Sequence, residues 1–347
     1  YAAIRPLLGT LEHPESSVVM TSGPSGPLSR VLAQRLALPA VYVAPPVAAG
    51  VGGPPADPVE PAQIPVDRLR AYFDASPGAR LFGVVGHPLA HSLSPQIHAL
   101  WMASQHRPGL YIPIEILSAE ELATSLEPLA ADGLAGWNVT APWKEPALAL
   151  ATRRSTTAQR AGCASALVRA AQEWHAENFD VSALVRRLRE LRTSGAWRSD
   201  RLLVVGSGGA ARAALLAAEE LRVEADLLAR NRARVATLAR EFSARIAPSD
   251  SGPADLVVHT TTVGRVGSNA PPAGLDERVG PQTYLLDFVY RATIPVLREL
   301  AERRGARYED GTRLLVYQAA ESFALFWGSP PAPALEEEAL REVSCTA

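Results

Sequence analysis

Lysine is almost absent from this chain of 347 residues: of its 34 basic side chains, Lys144 is the single lysine and the other 33 are arginine. Cysteine is nearly as scarce, at two positions (Cys163 and Cys345), which excludes a disulfide-stapled scaffold and fits a reducing, cytoplasmic setting. No run of about 18 apolar residues occurs, so no bilayer-spanning helix is encoded. Neither sign of charge is in excess, with 34 basic against 36 acidic residues and a net charge of −2. That balance argues against nucleic acid or an anionic membrane as partner. The first residue is Tyr1 and no signal-like start follows it, so the natural product is expected to begin elsewhere.

What the chain does have is apolar content, 47%, together with 25 Gly and 29 Pro. At about 100–200 residues per domain this predicts two or three soluble domains, each with its own core. A G+C-rich genome accounts for the arginine bias. It does not account for a lysine surviving alone, because arginine stays protonated at any working pH whereas lysine titrates when buried or near another cation. The surroundings of Lys144 are therefore the first place to look for chemistry.

Proline and glycine divide the chain. A strand–helix–strand rhythm over 17–43 precedes a Pro/Gly/Ala-rich stretch at 44–66 that excludes regular structure, and a helix at 67–75 follows. Strands are then expected at 81–85, 110–116 and 136–140, and helices within 91–105, at 119–131 (with Ser118 as N-cap) and at 143–151. After a helix at 181–193 the alternation sharpens: strand 201–205, helix 209–221, strand 225–229, helix 232–244 and strand 255–259. Strands at 284–287 and 307–308 lead to a closing helix, 312–327. The alternation predicts an α/β fold of parallel sheets with crossover helices.

The segment LLVVGSGGAARA at 202–213 is an apolar strand running through a glycine turn into an alanine-rich helix. Gly206 permits the tight turn, Gly208 and Gly209 let backbone amides approach a pyrophosphate, and Ala210 and Ala213 allow close helix–strand packing. An NAD site places an acid after the second strand, for the ribose 2′-hydroxyl. Here that strand ends in Arg230-Asn231-Arg232-Ala233-Arg234, whose guanidiniums match a 2′-phosphate, so NADP is the expected cofactor.

Around the sole lysine runs GWNVTAPWK (136–144), which brings Asn138, Thr140 and Lys144 into one strand and turn. Upstream, GHPLAHSLSP (86–95) supplies Ser92 and Ser94, expected to alternate on an extended segment and face one anion. Downstream come NFD (178–180), HTTTVG (259–264), DFVY (287–290) and LLVYQAA (314–320). In order and spacing these elements resemble the shikimate dehydrogenase family over about residues 80–330. Its G-x-P-x-x-H-S-x-S-P, G-x-N-V-T-x-P-x-K, N-T-D, G-x-G-G-A, N-T-T-x-x-G and D-x-x-Y elements all have counterparts.

The resemblance implies reversible, NADPH-dependent reduction of 3-dehydroshikimate to shikimate. It puts substrate-contacting roles on Ser92, Ser94, Asn138, Thr140, Lys144, Asp180, Tyr290 and Gln318. It puts the cofactor against Gly206, Gly208, Gly209, Ala210, Asn231, Arg232, Arg234, Thr260, Thr261 and Gly264. Hydride delivery to a ketone creates alkoxide character, for which Lys144 is the proton donor, and Asp180 orients a ring hydroxyl. Ser92 and Ser94, with Tyr290, are neutral donors for a carboxylate. The chain departs from the family at Ser165, which stands for a substrate-contacting Asn, and at Phe179, Ala99, Arg265 and the Thr312-Arg313 pair.

Domains are expected at 79–178 plus 312–347 for substrate, and at 179–311 for a Rossmann-like NADP-binding half. Residues 1–76 resemble the last part of a type I 3-dehydroquinate dehydratase, a βα remnant of a TIM-type barrel, with Arg30 and Gln63 as counterparts of its carboxylate-binding residues. The Schiff-base lysine of that family is missing from 1–143, so a separate or fused dehydratase portion is an expected partner. No metal site is expected, since His87, His91 and His98 lack completing ligands. Glu336-Glu337-Glu338 reads as a solvated helix face. An NAD-dependent quinate/shikimate dehydrogenase and a non-catalytic metabolite sensor are the alternatives. The retained Lys144 and Asp180 favour the enzyme.

Overall fold

Each element expected from Arg80 onward has an observed counterpart, while those at 153–177 and 296–304, and the bounds of the one at 333–345, were not anticipated. The computed structural model describes residues 79–248, 251–264, 270–292 and 294–345, with isolated residues 31, 69, 70, 72 and 74 before them. The dehydratase-like reading of 1–76, including Arg30 and Gln63, and the departure at Arg265 fall outside the described residues. The described chain forms two compact units.

The first unit holds the residues up to Ser155, Ala164–Glu177 and Ser322–Pro331. Its elements are β1 (Arg80–Gly86), α1 (Ser94–Ser104), β2 (Gly109–Glu115), α2 (Ala119–Ala131), β3 (Leu134–Val139), α3 (Lys144–Leu150), β4 (Arg153–Arg154), β5 (Ala166–Ala170) and β6 (Glu173–Glu177). They build one sheet in the order β2-β1-β3-β5-β6-β4. β1 is buried at every position after Arg80, as a central parallel strand covered on both faces must be. α2 starts where expected: the Ser118 hydroxyl accepts the Glu121 N–H at 3.0 Å, and the Glu121 carboxylate accepts the Leu117 N–H at 2.8 Å. Phe82 stacks on Phe326 with centroids 4.5 Å apart, closing the core beside the buried Trp101.

The expectation of purely parallel sheets fails in this unit. β5 runs antiparallel to both β3 and β6. The β5–β6 hairpin turns on Ala171 and Gln172, both at positive φ (46° and 69°). A two-residue turn of that hand is normally announced by Asn-Gly or Gly-Gly. Here no such signal exists, and the pairing of β5 with the core strand β3 imposes the turn.

The second unit holds Thr156–Cys163, Asn178–Glu321 and the residues from Ala332. It comprises α4 (Thr156–Ala161), α5 (Asp180–Thr193), β7 (Arg201–Val205), α6 (Gly209–Glu220), β8 (Glu224–Leu228), α7 (Arg232–Glu241), β9 (Arg245–Ile246), β10 (Leu256–His259), β11 (Tyr284–Asp287), α8 (Val296–Arg304), β12 (Arg307–Glu309), α9 (Thr312–Trp327) and α10 (Pro333–Cys345). Its sheet is wholly parallel, in the order β12-β11-β10-β7-β8-β9. The chain leaves β7 toward one edge and returns to β10 to build the other, so the β7/β10 junction is the topological switch point of a Rossmann-like fold.

These units are drawn differently from the expected domains. α9 begins in the second unit and ends in the first, while 156–163 and α10 cluster with the second unit. One anchor of α10 is Glu336, which is buried and pairs with Arg186 of α5 at 2.7 Å. The expectation of a solvated Glu336-Glu337-Glu338 face therefore holds for Glu337 alone, the exposed one of the three. Successive helical residues are about 100° apart, so three in a row cannot share one face.

Candidate active site

In the first unit the expected substrate residues collect at the carboxyl ends of β1 and β3. The two strands pair in parallel with Val85 opposite Val139. Beyond them the Thr140 N–H donates to the Val85 carbonyl at 2.8 Å and the His87 N–H to that of Ala141 at 3.1 Å. The 87–92 loop and the 140–144 segment thus leave the sheet side by side. Asn138 is buried, accepts the Tyr111 hydroxyl on Oδ1 at 2.7 Å and donates from Nδ2 to the Ser165 carbonyl at 3.4 Å.

Ser165 is itself buried; its N–H donates to the Glu177 carbonyl and its carbonyl accepts the Val139 N–H, both at 2.8 Å. Thr140 and Lys144 are half-buried. Lys144 opens α3, and its carbonyl accepts the Ala164 N–H at 2.8 Å. The neighbouring Trp143 indole donates to the Ile116 carbonyl at 2.8 Å. The backbone carrying the lysine is therefore tied on two sides.

Ser92 and Ser94 are not on an extended segment. The Ser92 N–H closes a turn onto the Leu89 carbonyl at 2.8 Å, and Ser94, buried, is the first residue of α1. Pro95, pre-set for a first helical turn, explains why the helix starts here. Glu115 holds this loop: its Oε1 accepts the Leu89 N–H at 3.1 Å and lies 3.3 Å from Nδ1 of His87.

Behind the site, His98 is fully buried and stacks on Tyr111 at 3.9 Å with an interplanar angle of 8°. Neither of its ring nitrogens has a hydrogen-bond partner among the described residues. Burial pushes its pKa down to about 3. The sequence marks it only as a non-ligand. The three-dimensional setting makes it a neutral aromatic filler.

In the second unit the expected cofactor residues line the carboxyl ends of the parallel strands. Gly206 follows β7 at φ +136°, and its N–H reaches the Leu228 carbonyl at 2.9 Å. Gly208 and Gly209 stand in different surroundings. A Cβ on Gly209 would lie 3.0 Å from Sγ of the buried Cys163, so any larger residue would have to displace that thiol. A Cβ on Gly208 would meet nothing within 4 Å, and its φ of −96° and ψ of −167° suit any residue. Neither packing nor backbone conformation requires a glycine at 208. Ala210, half-buried, occupies the first turn of α6.

Asn231 caps α7 by accepting the Arg234 N–H at 3.0 Å, leaving Arg230, Arg232 and Arg234 exposed around the cap. The one acid near the end of β8, Asp226, is committed elsewhere. Burial pushes its carboxyl up, but Arg245 and Arg201 at 2.8–2.9 Å overcome this and hold it below the usual carboxylate range. Thr260, after β10, bonds the Val205 carbonyl through both its N–H (2.9 Å) and its hydroxyl (2.8 Å). Gly264 turns at φ +92°, its carbonyl taken by the Ile294 N–H at 3.0 Å. Tyr290, half-buried, follows β11.

Asp180 is buried in the first turn of α5. Its N–H donates to Oδ1 of Asn178 at 3.0 Å, while Nδ2 of Asn178 donates to the Cys163 carbonyl at 3.0 Å. Asn178, in the N-F-D segment that opens this helix, thus serves its first backbone N–H groups through its side chain. Gln318 lies in α9, where Nε2 donates to the Leu315 carbonyl at 3.2 Å. Tyr111 and Glu115, which hold Asn138 and the serine loop, carried no signal, because the residues they bond lie 27 and 26 positions away. No cluster of three metal-ligating side chains, and no helix long and apolar enough to cross a membrane, occurs among the described residues.

Comparison with known proteins agrees with this geometry. Residues 84–167 match the shikimate dehydrogenase substrate binding domain family. The chain is 36% identical over 259 residues to the shikimate dehydrogenase (NADP(+)) of Acidiphilium cryptum, spanning 73% of this chain and 92% of that one. It is 34% identical over 272 residues to the enzyme of the same name from Jannaschia, spanning 76% and 96%. The crystal structure of shikimate 5-dehydrogenase from Thermus thermophilus in complex with NADP(H) and shikimate superposes with a TM-score of 0.65 at 32% identity, covering 76% of this chain and 99% of that one.

Proposed function

Because the chain belongs to the shikimate dehydrogenase family, we propose that it catalyses the reversible, NADPH-dependent reduction of 3-dehydroshikimate to shikimate. The observation that carries this reading is the pairing of relatives so named, at 34–36% identity, with a lone lysine set at the carboxyl end of β3. When bound, NADPH supplies the hydride. Lys144 gives the proton to the developing alkoxide, and Asp180 receives a ring hydroxyl and orients it. Ser92 and Ser94, with Tyr290, donate neutral hydrogen bonds to the substrate carboxylate. Asn138, Thr140 and Gln318 hold the ring hydroxyls, and Ser165 occupies the place of a contacting amide. The Gly206–Ala210 turn, Thr260, Thr261 and Gly264 bind the dinucleotide, and Asn231, Arg232 and Arg234 its 2′-phosphate.

Assays of purified protein with shikimate or quinate against NADP or NAD test the reading directly. Shikimate with NADP is expected to give the highest kcat/KM, and turnover with NAD alone would replace the cofactor assignment. No turnover with any pair, but measurable shikimate binding, would favour a sensor.

Two substitutions sharpen the cofactor assignment. Arg232→Ala should raise the NADP KM roughly tenfold or more, the loss of about 1.5–3 kcal/mol for a charge-assisted contact, with NAD use nearly unchanged. Equal losses with both cofactors would remove the 2′-phosphate role. Gly208→Ser introduces a favourable N-cap into open space, so Tm should hold or rise while the NADPH Kd increases about tenfold, or ~1.4 kcal/mol. A serine variant with wild-type NADPH affinity would show that no ligand approaches Gly208.

The low cysteine content and the burial of Cys163 outside any disulfide support a cytoplasmic setting. For residues 1–76 we propose a dehydratase-derived segment, on the strength of the Arg30 and Gln63 motif. Dehydratase activity that appears when the remainder of such a barrel is supplied in trans would support this, and no activity would retire it.

A further inference from the structure

β10 and β11 pair in parallel with His259 opposite Asp287, so the two side chains leave neighbouring strand ends on the same face. Both are buried, at 0% and 1% exposure. Nδ1 of His259 lies 2.8 Å from Oδ1 of Asp287, and Nε2 lies 2.5 Å from the Thr261 hydroxyl. Asp287 also accepts the Val289 N–H at 3.0 Å and the Tyr308 hydroxyl at 3.2 Å. A carboxylate only accepts, so an imidazole proton sits on Nδ1, while Nε2 is joined to the Thr261 hydroxyl on the other side of the ring. The Thr261 oxygen in turn accepts the Val263 N–H at 3.2 Å.

The consequence is a rigid chain of bonds from β11 through the imidazole into the turn that follows β10. That turn lies against the glycine loop, since Thr260 is bonded to Val205, the residue just before Gly206. In the N-T-T-x-x-G element that this segment resembles, the first position is asparagine. This chain carries an imidazole there, with nitrogens on two sides of its ring, each within hydrogen-bond distance of a neighbour.

We propose that His259 is a positioning residue for the dinucleotide: it links Asp287 to Thr261 and holds the 260–264 turn in the shape that receives the cofactor. The proposal rests on the NADP reading of the second unit. It is tested by NADPH fluorescence titration and steady-state kinetics of the whole chain carrying His259→Asn, Thr261→Val, both together, or Tyr308→Phe. His259→Asn keeps a donor toward Asp287 and should therefore fold.

Each of the first two single variants should raise the NADPH Kd about three- to tenfold, the range for losing one neutral hydrogen bond. The shikimate KM should stay within twofold. In the Thr261→Val background, His259→Asn should add nothing further, because its effect runs through that hydroxyl. Tyr308→Phe removes a donor to Asp287 without touching the turn, so it should lower Tm yet keep the NADPH Kd within twofold. Wild-type affinity in His259→Asn, multiplying effects in the double variant, or equal weakening by Tyr308→Phe would each overturn the positioning role. If the unsubstituted protein bound no NADPH, the functional reading itself would fall, and this proposal with it.

Discussion

Lys144→Met is expected to lower kcat for shikimate oxidation by about 10²–10⁴, the range for removing a positioned acid–base group, with Tm and NADPH affinity unchanged. The backbone at this position is secured independently of the side chain, by the bond from Ala164 to its carbonyl and the indole bond of Trp143. Loss of the amine should therefore not loosen α3. Lys144→Arg is the sharper variant. It retains the cation but cannot release a proton at neutral pH, so it should be nearly as poor as methionine and should lose the alkaline rise in shikimate oxidation. A chain that uses arginine at every other basic position tolerates arginine wherever charge alone is required. An active arginine variant with an unaltered pH profile would therefore reduce Lys144 to a structural cation.

The protein should lose stability steadily as pH falls from about 6.5, and His98 should account for a definable part of that loss. In the folded chain burial holds this imidazole at a pKa of about 3, whereas unfolded it titrates near 6.5. The sign follows directly. Above 6.5 neither state binds the proton and the contribution is nil. Below it the unfolded chain takes up a proton that the folded one refuses, so stability falls by up to ~1.4 kcal/mol per pH unit until about pH 3.

Between pH 6.5 and 4.5 the difference amounts to roughly 2–3 kcal/mol. His98→Phe preserves an aromatic ring against Tyr111, Trp101 and Phe323 and removes two unpartnered nitrogens. At pH 7.5 the variant should be at least as stable as the parent, and it should unfold in urea with a visibly flatter pH dependence. Parallel pH curves for the two proteins would mean that His98 is protonated or solvated in the folded state.

What the sequence determined by itself was whatever acts within a few residues. The hydrophobic periods placed β7, β11 and α9, and Ser118 announced the start of α2. The strand–glycine–helix order placed the glycine turn between β7 and α6. Each is a local matter of dihedral preference, capping or spacing, and so is written in consecutive letters.

Tertiary structure decided what depends on partners far along the chain. The Ala171-Gln172 turn has no turn-forming letters and exists because β5 pairs with β3. Ser92 and Ser94 sit on a turn and a helix start instead of an extended segment, steadied by Glu115 from β2. His98 becomes a neutral aromatic because Tyr111 and Phe323 close over it. Gly208 and Gly209 look alike in sequence, yet Cys163 crowds one while open space surrounds the other. His259 meets Asp287 only because the register of two parallel strands sets them opposite each other. Such pairings arise from packing and sheet register, which bring distant residues within hydrogen-bond reach and leave no periodic trace in the sequence.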